Sequence, residues 1–297
     1  MISIIIPTHK RTDLLIYEIN QIRKQQKVDY EIIVVNDIEE PDSTDIITKL
    51  FPDVIYIKSS KYQGPSNKHK IGLKISKGKY IYMPDDDDYL IDELFFLKAI
   101  KILESDLSLS FVSGNVVKFF ENQNRIIKCP LDISGKIDGL KYLEGFQSRY
   151  RKPISTVSTL FRREVLEKQN FLEMREMSDS SMYMNALIGG NAYILDDYVA
   201  VYRIRDKSLS TTASIRFIMN VLLQKKEILD KVVGELHSPD KFWLSHVRMT
   251  YRLFARSSKA KRTKLALLIW IYRKTDKYKL TKMYLALEYV RCLIFNN

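Results

Sequence analysis

The sequence predicts an α/β fold, in which a sheet is flanked by helices, followed by a helical C-terminal appendage. Over the first hundred residues, apolar runs of strand length alternate with helical patterns, which is typical of βαβ units and a largely parallel sheet. Alternating apolar residues between positions 109 and 127 then predict antiparallel strands. With 297 residues, the chain is long enough to bury a sizeable core.

Four apolar runs near the N-terminus predict the parallel strands. They occupy residues 2–5, 30–35, 54–57 and 79–83. Continuous β-branched runs of this kind are typical of strands that are covered on both faces. Helical patterns lie between the strands at residues 11–23 and 68–76, and another follows at residues 90–103.

Shorter elements are predicted in the second half of the chain. Strands are expected at residues 155–161, 192–195 and 199–204, and helices at residues 162–169, 182–188, 213–234, 239–256, 260–274 and 277–295. No internal repeat or low-complexity segment interrupts them. The last four helices form the appendage.

Four consecutive aspartates, Asp85, Asp86, Asp87 and Asp88, follow the fourth predicted strand. Carboxylates this close repel each other by roughly 4 kcal/mol per pair at an effective dielectric near 20, so something must offset the repulsion. One aspartate could cap the next helix. Four at the end of a strand indicate a hard divalent cation, Mg²⁺ or Mn²⁺, of the kind that often reaches a protein with phosphates attached.

Other polar residues occupy the same edge of the predicted sheet. Thr8 follows the first strand and Asp37 follows the second, as the aspartates follow the fourth. In open α/β sheets, ligands bind in the crevice beyond the carboxyl ends of the strands. We therefore expect these side chains to converge on one crevice that binds a metal ion and a phosphate group.

The net charge of +12 belongs to the C-terminal region. From Lys241 onward there are fourteen lysines and arginines against Asp276 and Glu288, so the rest of the chain is neutral as a group. Apolar residues recur among these cations at helical spacing, at Phe242, Leu244, Val247 and Tyr251, and again at Leu265, Leu268, Ile271 and Tyr272. Basic amphipathic helices are typical of a membrane interface. We expect residues 240–297 to dock on an anionic membrane surface, with packing on the catalytic part or a homodimer interface as alternatives.

Taken in order, the motifs of residues 1–212 resemble those of the family 2 inverting glycosyltransferases of the GT-A fold, which build bacterial surface polysaccharides. The matching pieces are Ser3 to Thr8, Ile32 to Asp37, Gly64 to Ile81, the four aspartates, Ser158 to Arg162, Asp179, and Tyr202-Arg203-Ile204 with Ser208-Leu209-Ser210. Each piece is weak alone, and their order and intervals carry the resemblance.

The resemblance implies a role for each matching residue. Asp37 accepts a hydrogen bond from uracil, and Asp85 and Asp87 fall on the DxD positions, although a run of four permits a shift of register. The residues assigned to the nucleotide are Pro7, Thr8, Asp37, Gly64, His69, Lys70, Asp85, Asp86 and Arg205. Asp87 and Asp88 are assigned to the metal, Mn²⁺ or Mg²⁺. Asp179 is assigned as the general base, with a helix N-cap as the simpler interpretation of this residue.

Two positions depart from the family pattern. Lys68-His69-Lys70 stand where the family often has Ala-Arg-Asn, so His69 and Lys70 are expected phosphate contacts, or His69 is a solvated helix residue. Arg205 stands where a histidine often completes the metal site. An arginine does not ligate a metal, but it pairs well with phosphate oxygens.

The resemblance also implies the organisation and activity of the chain. Residues 1–212 are expected to form the catalytic domain, with a nucleotide-binding half at 1–108 and an acceptor half at 109–212, followed by a basic helical region at 213–297. The implied reaction moves a sugar, with inversion, from a nucleotide sugar such as a UDP-sugar to a saccharide or a lipid-linked oligosaccharide. The implied location is the inner face of the cytoplasmic membrane.

Two observations agree with a cytoplasmic protein. The N-terminal residues lack the basic segment that begins a signal peptide, so we expect none. Cys129 and Cys292 stand alone, without ligand-like spacing to histidine, and are expected to be reduced thiols.

Three other functions fit parts of the sequence. A nucleotidyltransferase would use the same metal–aspartate site but attack phosphorus instead of carbon. A nucleic-acid-binding protein is favoured by the pI near 9.4 and by aromatic residues among the C-terminal cations, namely Tyr251, Phe254, Trp270 and Tyr272. These aromatics lie in apolar helical stripes, so we expect no nucleic-acid partner. A sugar-binding module would bind nucleotide without turnover.

Overall fold

The computed structural model describes residues 1–37, 44–59, 63–205, 214–257, 261–275 and 277–294. The strands in these ranges are β1 (Ile2–Thr8), β2 (Tyr30–Asp37), β3 (Ile55–Ser59), β4 (Tyr80–Tyr82), β5 (Tyr89–Leu90), β6 (Leu109–Phe120), β7 (Arg125–Cys129), β8 (Gly135–Ile137), β9 (Thr159–Arg162) and β10 (Asn191–Ile204). The helices are α1 (Thr12–Ile22), α2 (Thr44–Leu50), α3 (Gly64–Ile75), α4 (Phe95–Ser105), α5 (Gly139–Glu144), α6 (Arg163–Lys168), α7 (Asp179–Gly189), α8 (Ile215–Val232), α9 (Pro239–Ser257), α10 (Lys261–Arg273) and α11 (Lys279–Ile294).

All of these strands belong to one mixed sheet. Its order is β3-β2-β1-β4-β9-β6-β10-β5, with β7 paired to β6 and β8 paired to β10. Strands β1 to β4 are parallel, β9 lies antiparallel between β4 and β6, and β10 is parallel to β6. The predicted α/β class, a mixed sheet flanked by helices with a helical C-terminal region, is confirmed.

Helices cover both faces of the parallel half, which explains its continuous apolar runs. Every residue of β1 is buried. Helix α3 approaches this strand closely at Gly72, where a Cβ atom would overlap the side chain of Ile5. Glycine at this position therefore sets the distance between α3 and the sheet, and so the position of the α3 N-terminus at the crevice.

The structure corrects several predicted boundaries. Helix α3 begins at Gly64 and not at residue 68, because Pro65 lies in its first turn, where the missing N–H has no helical partner to lose. The helix expected from residue 90 begins at Phe95, since Tyr89 and Leu90 pair with β10 instead. Helices α2 and α5 were not predicted.

The four C-terminal helices lie where the sequence predicted them. Helix α8 packs against α7, and one apolar core runs from β4 and β6 through α7 into α8, α9, α10 and α11. The predicted division after residue 212 and the motif residues 208–210 lie outside the described residues.

Most of the apolar residues singled out in this region lie in the protein's own core. Phe242, Val247, Tyr251, Leu268 and Ile271 are all at most 4% exposed. These five residues are therefore core, and the alternative that the helices pack on the catalytic part describes them, whereas Tyr272 of the second stripe is 45% exposed. In the described residues, no helix combines the length and apolarity that crossing a bilayer requires.

Candidate active site

The carboxyl ends of β1, β2 and β4 meet in one crevice, as the sequence predicted. The Thr8 hydroxyl, at the end of β1, donates a hydrogen bond to Asp86 Oδ2 at 2.8 Å. The backbone N–H of His9 donates to the same oxygen at 3.3 Å. These bonds hold the aspartate run against the end of β1, although 77 or 78 residues separate the partners in sequence.

Arg11 contacts two carboxylates of the aspartate run. Its Nη1 atom lies 2.6 Å from Asp86 Oδ1 and 2.8 Å from Asp87 Oδ2. Arg205 is farther away, with its Nη1 atom 3.9 Å from Asp87 Oδ2. The repulsion expected among four adjacent aspartates is therefore offset in part by two guanidinium groups.

Asp88 is the most deeply buried aspartate of the run. Its Oδ1 atom accepts a hydrogen bond from the backbone N–H of Arg203 at 3.0 Å. Its Oδ2 atom is buried without a well-formed hydrogen bond. Burial, followed by the charges of Asp85 and Asp87, raises the pKa of Asp88 well above its ordinary value. A cation bound at Asp88 would contact the Oδ2 atom, offset the cost of burying the charge, and reduce the repulsion from Asp85 and Asp87.

The chemistry of these oxygens fits a hard divalent cation. Carboxylate oxygens are ligands that Mg²⁺ and Mn²⁺ prefer. Within the described ranges, no three acidic, histidine or cysteine side chains form a cage on their own. Because Mg²⁺ is often held by one or two carboxylates plus substrate phosphates, this donor set fits an ion that arrives with a diphosphate.

Asp37 is buried at the end of β2 and has protein partners. Lys68 Nζ lies 3.0 Å from Asp37 Oδ2 and donates a hydrogen bond to the Thr8 carbonyl oxygen at 2.8 Å. The backbone N–H of Gln63 donates to Asp37 Oδ1 at 2.9 Å. The Asp37 side chain has no exposed surface, so a uracil ring reaches it only if one of these partners moves.

Three other residues predicted to contact the nucleotide, Gly64, Pro7 and Lys70, lie in different surroundings. Gly64 begins α3 with a φ of 72°, a left-handed value that favours glycine. Pro7 is buried in β1, opposite Val35. Lys70 lies close enough to Glu176 for its charge to oppose the rise that burial causes in the pKa of that carboxyl.

His69 lies in the interior. It is 3% exposed, and neither ring nitrogen has a hydrogen-bond partner in the described chain. Burial, and then the charge of Lys68, lowers the pKa of His69 to about 4, so its ring is neutral at physiological pH. The alternative of a solvated helix residue is wrong, and a neutral buried ring offers no charge to a phosphate.

Asp179 occupies the first turn of α7, and Ser178 caps that helix. The Ser178 side chain accepts a hydrogen bond from the backbone N–H of Ser181, so the N-cap interpretation of Asp179 is wrong. The Asp179 side chain is 36% exposed, and Lys152 Nζ lies 3.7 Å from its Oδ2 atom. Lys152 is itself held by the carbonyl oxygens of Pro153 and Ile154, at 2.9 and 3.0 Å. Asp179 is thus accessible and oriented by a fixed cation.

The charge of Asp179 acts on Asp85 across the crevice. Burial raises the pKa of Asp85 well above its ordinary value, and the charge of Asp179 is the next largest cause. Tyr202 lies near both, because burial and then the charges of Asp88, Asp179 and Asp85 raise the pKa of its hydroxyl. The crevice therefore combines a cluster of oxygen donors with a separate, partly exposed carboxylate, which is the arrangement that a proton transfer beside a bound diphosphate requires.

Sequence reasoning missed four charged residues of this region. Arg11 and Lys152 lie outside the motifs, and Lys68 appeared only as a departure from one. Glu18 is buried on α1, and in the described chain neither of its carboxylate oxygens has a hydrogen-bond partner. Burial and then the charge of Asp88 raise its pKa well above the ordinary value. The position of Glu18 on the apolar face of a predicted helix was a signal that could have identified it.

Comparisons with known proteins identify the family of the chain. The family model described as "Glycosyl transferase family 2" matches residues 3–169, more than half of the chain. In Campylobacter jejuni, the chain is similar to "GalNAc(5)-diNAcBac-PP-undecaprenol beta-1,3-glucosyltransferase", with 25% identity over 266 residues, 87% of this chain and 82% of that protein. In Escherichia coli, it is similar to "UDP-Glc:alpha-D-GlcNAc-diphosphoundecaprenol beta-1,3-glucosyltransferase WfaP", with 30% identity over 111 residues. That match covers 35% of this chain and 44% of the relative.

Solved structures give the same result for the fold. The crystal structure of S. aureus TarS 1-349 in complex with UDP-GlcNAc matches with a TM-score of 0.67 and 15% sequence identity, over 90% of this chain and 79% of that one. At this identity the likeness concerns the fold alone. With the sheet, the motif order and the family match in agreement, the chain has the GT-A fold and belongs to glycosyl transferase family 2.

Proposed function

We propose that the protein transfers a hexosyl or N-acetylhexosaminyl group from a UDP-sugar to a saccharide carried on a lipid diphosphate, with inversion at the anomeric carbon. The observation that carries this proposal is the placement of Asp179 opposite the aspartate run, within reach of its electrostatic influence. The names of the Campylobacter jejuni and Escherichia coli relatives support the acceptor class, and the latter name also supports UDP-glucose as donor.

In the proposed reaction, Asp179 takes the proton of an acceptor hydroxyl while that oxygen bonds to the anomeric carbon. The bond between the anomeric carbon and the diphosphate oxygen breaks in the same step, so UDP leaves from the opposite face. Lys152 holds the Asp179 carboxylate, and Arg11 and Arg205, which contact the aspartate run, would pair with phosphate oxygens of the donor. Mn²⁺ or Mg²⁺ at Asp87 and Asp88 would neutralise charge on the departing diphosphate.

The remaining assignments are part of the same proposal. Pro7, Thr8, Asp37, Gly64 and Asp86 shape the nucleotide side of the crevice, and residues 109–212 shape the acceptor side. The protein is proposed to work on the inner face of the cytoplasmic membrane without spanning it. Cys129 and Cys292, which are not in a disulfide, agree with a reducing compartment.

The alternative functions are less well supported. A nucleotidyltransferase needs no carboxylate at the position of Asp179, and the family match favours sugar transfer. For nucleic-acid binding, Tyr251 and Phe254 are buried and unable to stack on bases.

A thermal-shift screen tests the proposal. UDP-sugars should raise the melting temperature in the presence of Mn²⁺, because a ligand that binds only the folded state adds about 2.7 kcal/mol at a hundredfold excess over its Kd. Chelation should remove most of the shift. Stabilisation by nucleoside triphosphates together with release of pyrophosphate, or no response to any UDP-sugar, would contradict the proposal.

A further inference from the structure

Helix α11 exposes an apolar stripe to solvent. Leu280 is 42% exposed, Met283 62%, Leu287 69% and Val290 50%. Their spacing of three, four and three residues places them on one face of the helix. Single exposed apolar side chains are ordinary, whereas a contiguous stripe marks a surface that contacts another apolar phase. This stripe is distinct from the buried stripes that the sequence singled out.

A groove between α9 and α11 lies beside the stripe. It has a volume of about 520 Å³. The residues that line it are Arg248, Arg252, Tyr284, Leu287, Glu288, Val290 and Arg291. Because Leu287 and Val290 belong to both features, the groove and the stripe form one continuous surface, which we call the α9–α11 face.

The groove carries an excess of positive charge. Glu288 is its one acidic lining residue, and the Oε1 atom of Glu288 lies 3.6 Å from Arg291 Nη1. Arg248 and Arg252 make no ion pair with any residue that the structure describes. The hydroxyl of Tyr284 is buried at the same place; burial, followed by the charge of Glu288, raises its pKa, and the charges of Arg252 and Arg248 oppose that rise. Within the described residues, two guanidinium groups are therefore without an ion-pair partner, and their planar donors match phosphate oxygens.

We propose that the α9–α11 face is a docking site for anionic phospholipid in a bilayer. A lipid phosphate occupies the groove at Arg248 and Arg252, and the stripe lies among the upper acyl chains. This proposal deepens the membrane location proposed above and rests on it, but it does not depend on the identity of the sugar donor. The protein would bind beside its substrate without a spanning helix.

The charge of the face favours a lipid over a second copy of the chain. In a symmetric dimer, the same patch meets itself, so the arginines of the two copies would be brought together around an apolar contact. Like charges placed opposite each other oppose such an interface. An anionic bilayer complements both parts of the face, since it supplies phosphate at the depth of the arginines and hydrocarbon just below.

Vesicle sedimentation of the full chain tests the role of the groove. Wild-type protein should bind vesicles made from a two-to-one mixture of phosphatidylcholine and phosphatidylglycerol, and it should bind phosphatidylcholine vesicles weakly. The Arg248→Gln/Arg252→Gln variant should bind the mixed vesicles about 30-fold more weakly, from the usual contribution of two arginines at an anionic surface. The matched control is Arg262→Gln/Arg273→Gln, which removes the same charge from exposed positions of α10 and should change binding less than about threefold. Equal losses of vesicle binding in both variants would show that the positive charge acts without a specific site, and the proposed lipid site would then be wrong.

A second pair of variants tests the stripe. Met283→Gln/Leu287→Gln should weaken binding to the mixed vesicles, whereas Leu107→Gln/Ile126→Gln, which changes two equally exposed residues of the catalytic part, should not. All variants should keep wild-type UDP affinity, so a failure of docking is distinguished from a failure of the proposed sugar transfer. If wild-type protein does not bind the mixed vesicles, or if Met283→Gln/Leu287→Gln converts a dimer to a monomer in light scattering, the lipid proposal is wrong.

Discussion

Lys152 Nζ lies 3.7 Å from Asp179 Oδ2, between the carboxylate and the carbonyl oxygens that hold the lysine in place. This contact restricts the orientation of the Asp179 carboxylate, and a general base must lie within hydrogen-bond reach of the proton that it accepts. Lys152 is therefore a positioning residue for the proposed base, acting through Asp179 and not on the substrate.

The first prediction follows from this pair. Lys152→Met should lower kcat about tenfold, equivalent to ~1.4 kcal/mol, with donor KM unchanged. The loss should fall on kcat and not on donor KM, because the lysine orients the base without contacting the donor. Lys141→Met, at an exposed lysine of α5, is the control and should match wild type. An unchanged kcat in Lys152→Met, or a loss of kcat that comes with an equal loss of donor affinity, would show that the lysine does not position the base.

The second prediction separates catalysis from helix capping at two adjacent residues. Asp179→Asn should slow transfer at least roughly 10²-fold, the lower range for loss of a general base, with UDP affinity and stability near wild type. Ser178→Ala should do the reverse, because it removes the cap of α7 at a cost of about 1 kcal/mol but leaves the base in place. Transfer rates and urea unfolding measure both effects. Full activity in Asp179→Asn would remove this residue from the mechanism.

The third prediction concerns a buried cation in the helical region. Lys225 Nζ donates a hydrogen bond to Thr250 Oγ1 at 3.2 Å, and burial, followed by the charge of Lys152, lowers its pKa from 10.5 to about 8. Below pH 8 the folded chain holds a charge in an unfavourable place. Lys225→Met should therefore raise the free energy of unfolding at pH 7 by about 3 kcal/mol.

The difference in stability between Lys225→Met and wild type should become smaller as the pH rises. Between pH 8 and 10.5 the unfolded chain binds more protons at Lys225 than the folded chain does, so wild-type stability rises relative to the variant. Urea unfolding should give a smaller difference in free energy of unfolding between the variant and wild type near pH 10 than at pH 7. Lys241→Met, at an exposed lysine, should change stability by less than about 0.5 kcal/mol at either pH. A stability difference that stays constant with pH would rule out the charge of Lys225 as its cause.

The fold and the location of the crevice could be predicted because their signals are local. Strands covered on both faces leave apolar runs, and the aspartate run at the end of one such strand marks the crevice even before the family is considered. The contacts within the crevice could not be predicted in the same way. Arg11 is 75 residues from Asp86, and Lys152 lies in an irregular segment between α5 and β9, where no periodicity places its side chain.

The C-terminal region shows a different limit. An amphipathic pattern identifies the face of a helix that is removed from water, but it does not identify what covers that face. For Phe242 and Val247 the cover is the protein's own core. For Met283 and Leu287 it is not, because α11 packs through other residues, such as Leu285. Tertiary packing decides between these cases.

Titration calorimetry of UDP tests the central proposal, that the aspartate crevice is the diphosphate and metal site. Wild-type protein should bind UDP in Mn²⁺ or Mg²⁺ and lose most of that affinity in EDTA. The Asp85→Ala/Asp87→Ala variant should fail to bind UDP under either condition while remaining folded by circular dichroism. Equal UDP affinity in EDTA and Mn²⁺, retained by Asp85→Ala/Asp87→Ala, would contradict the account.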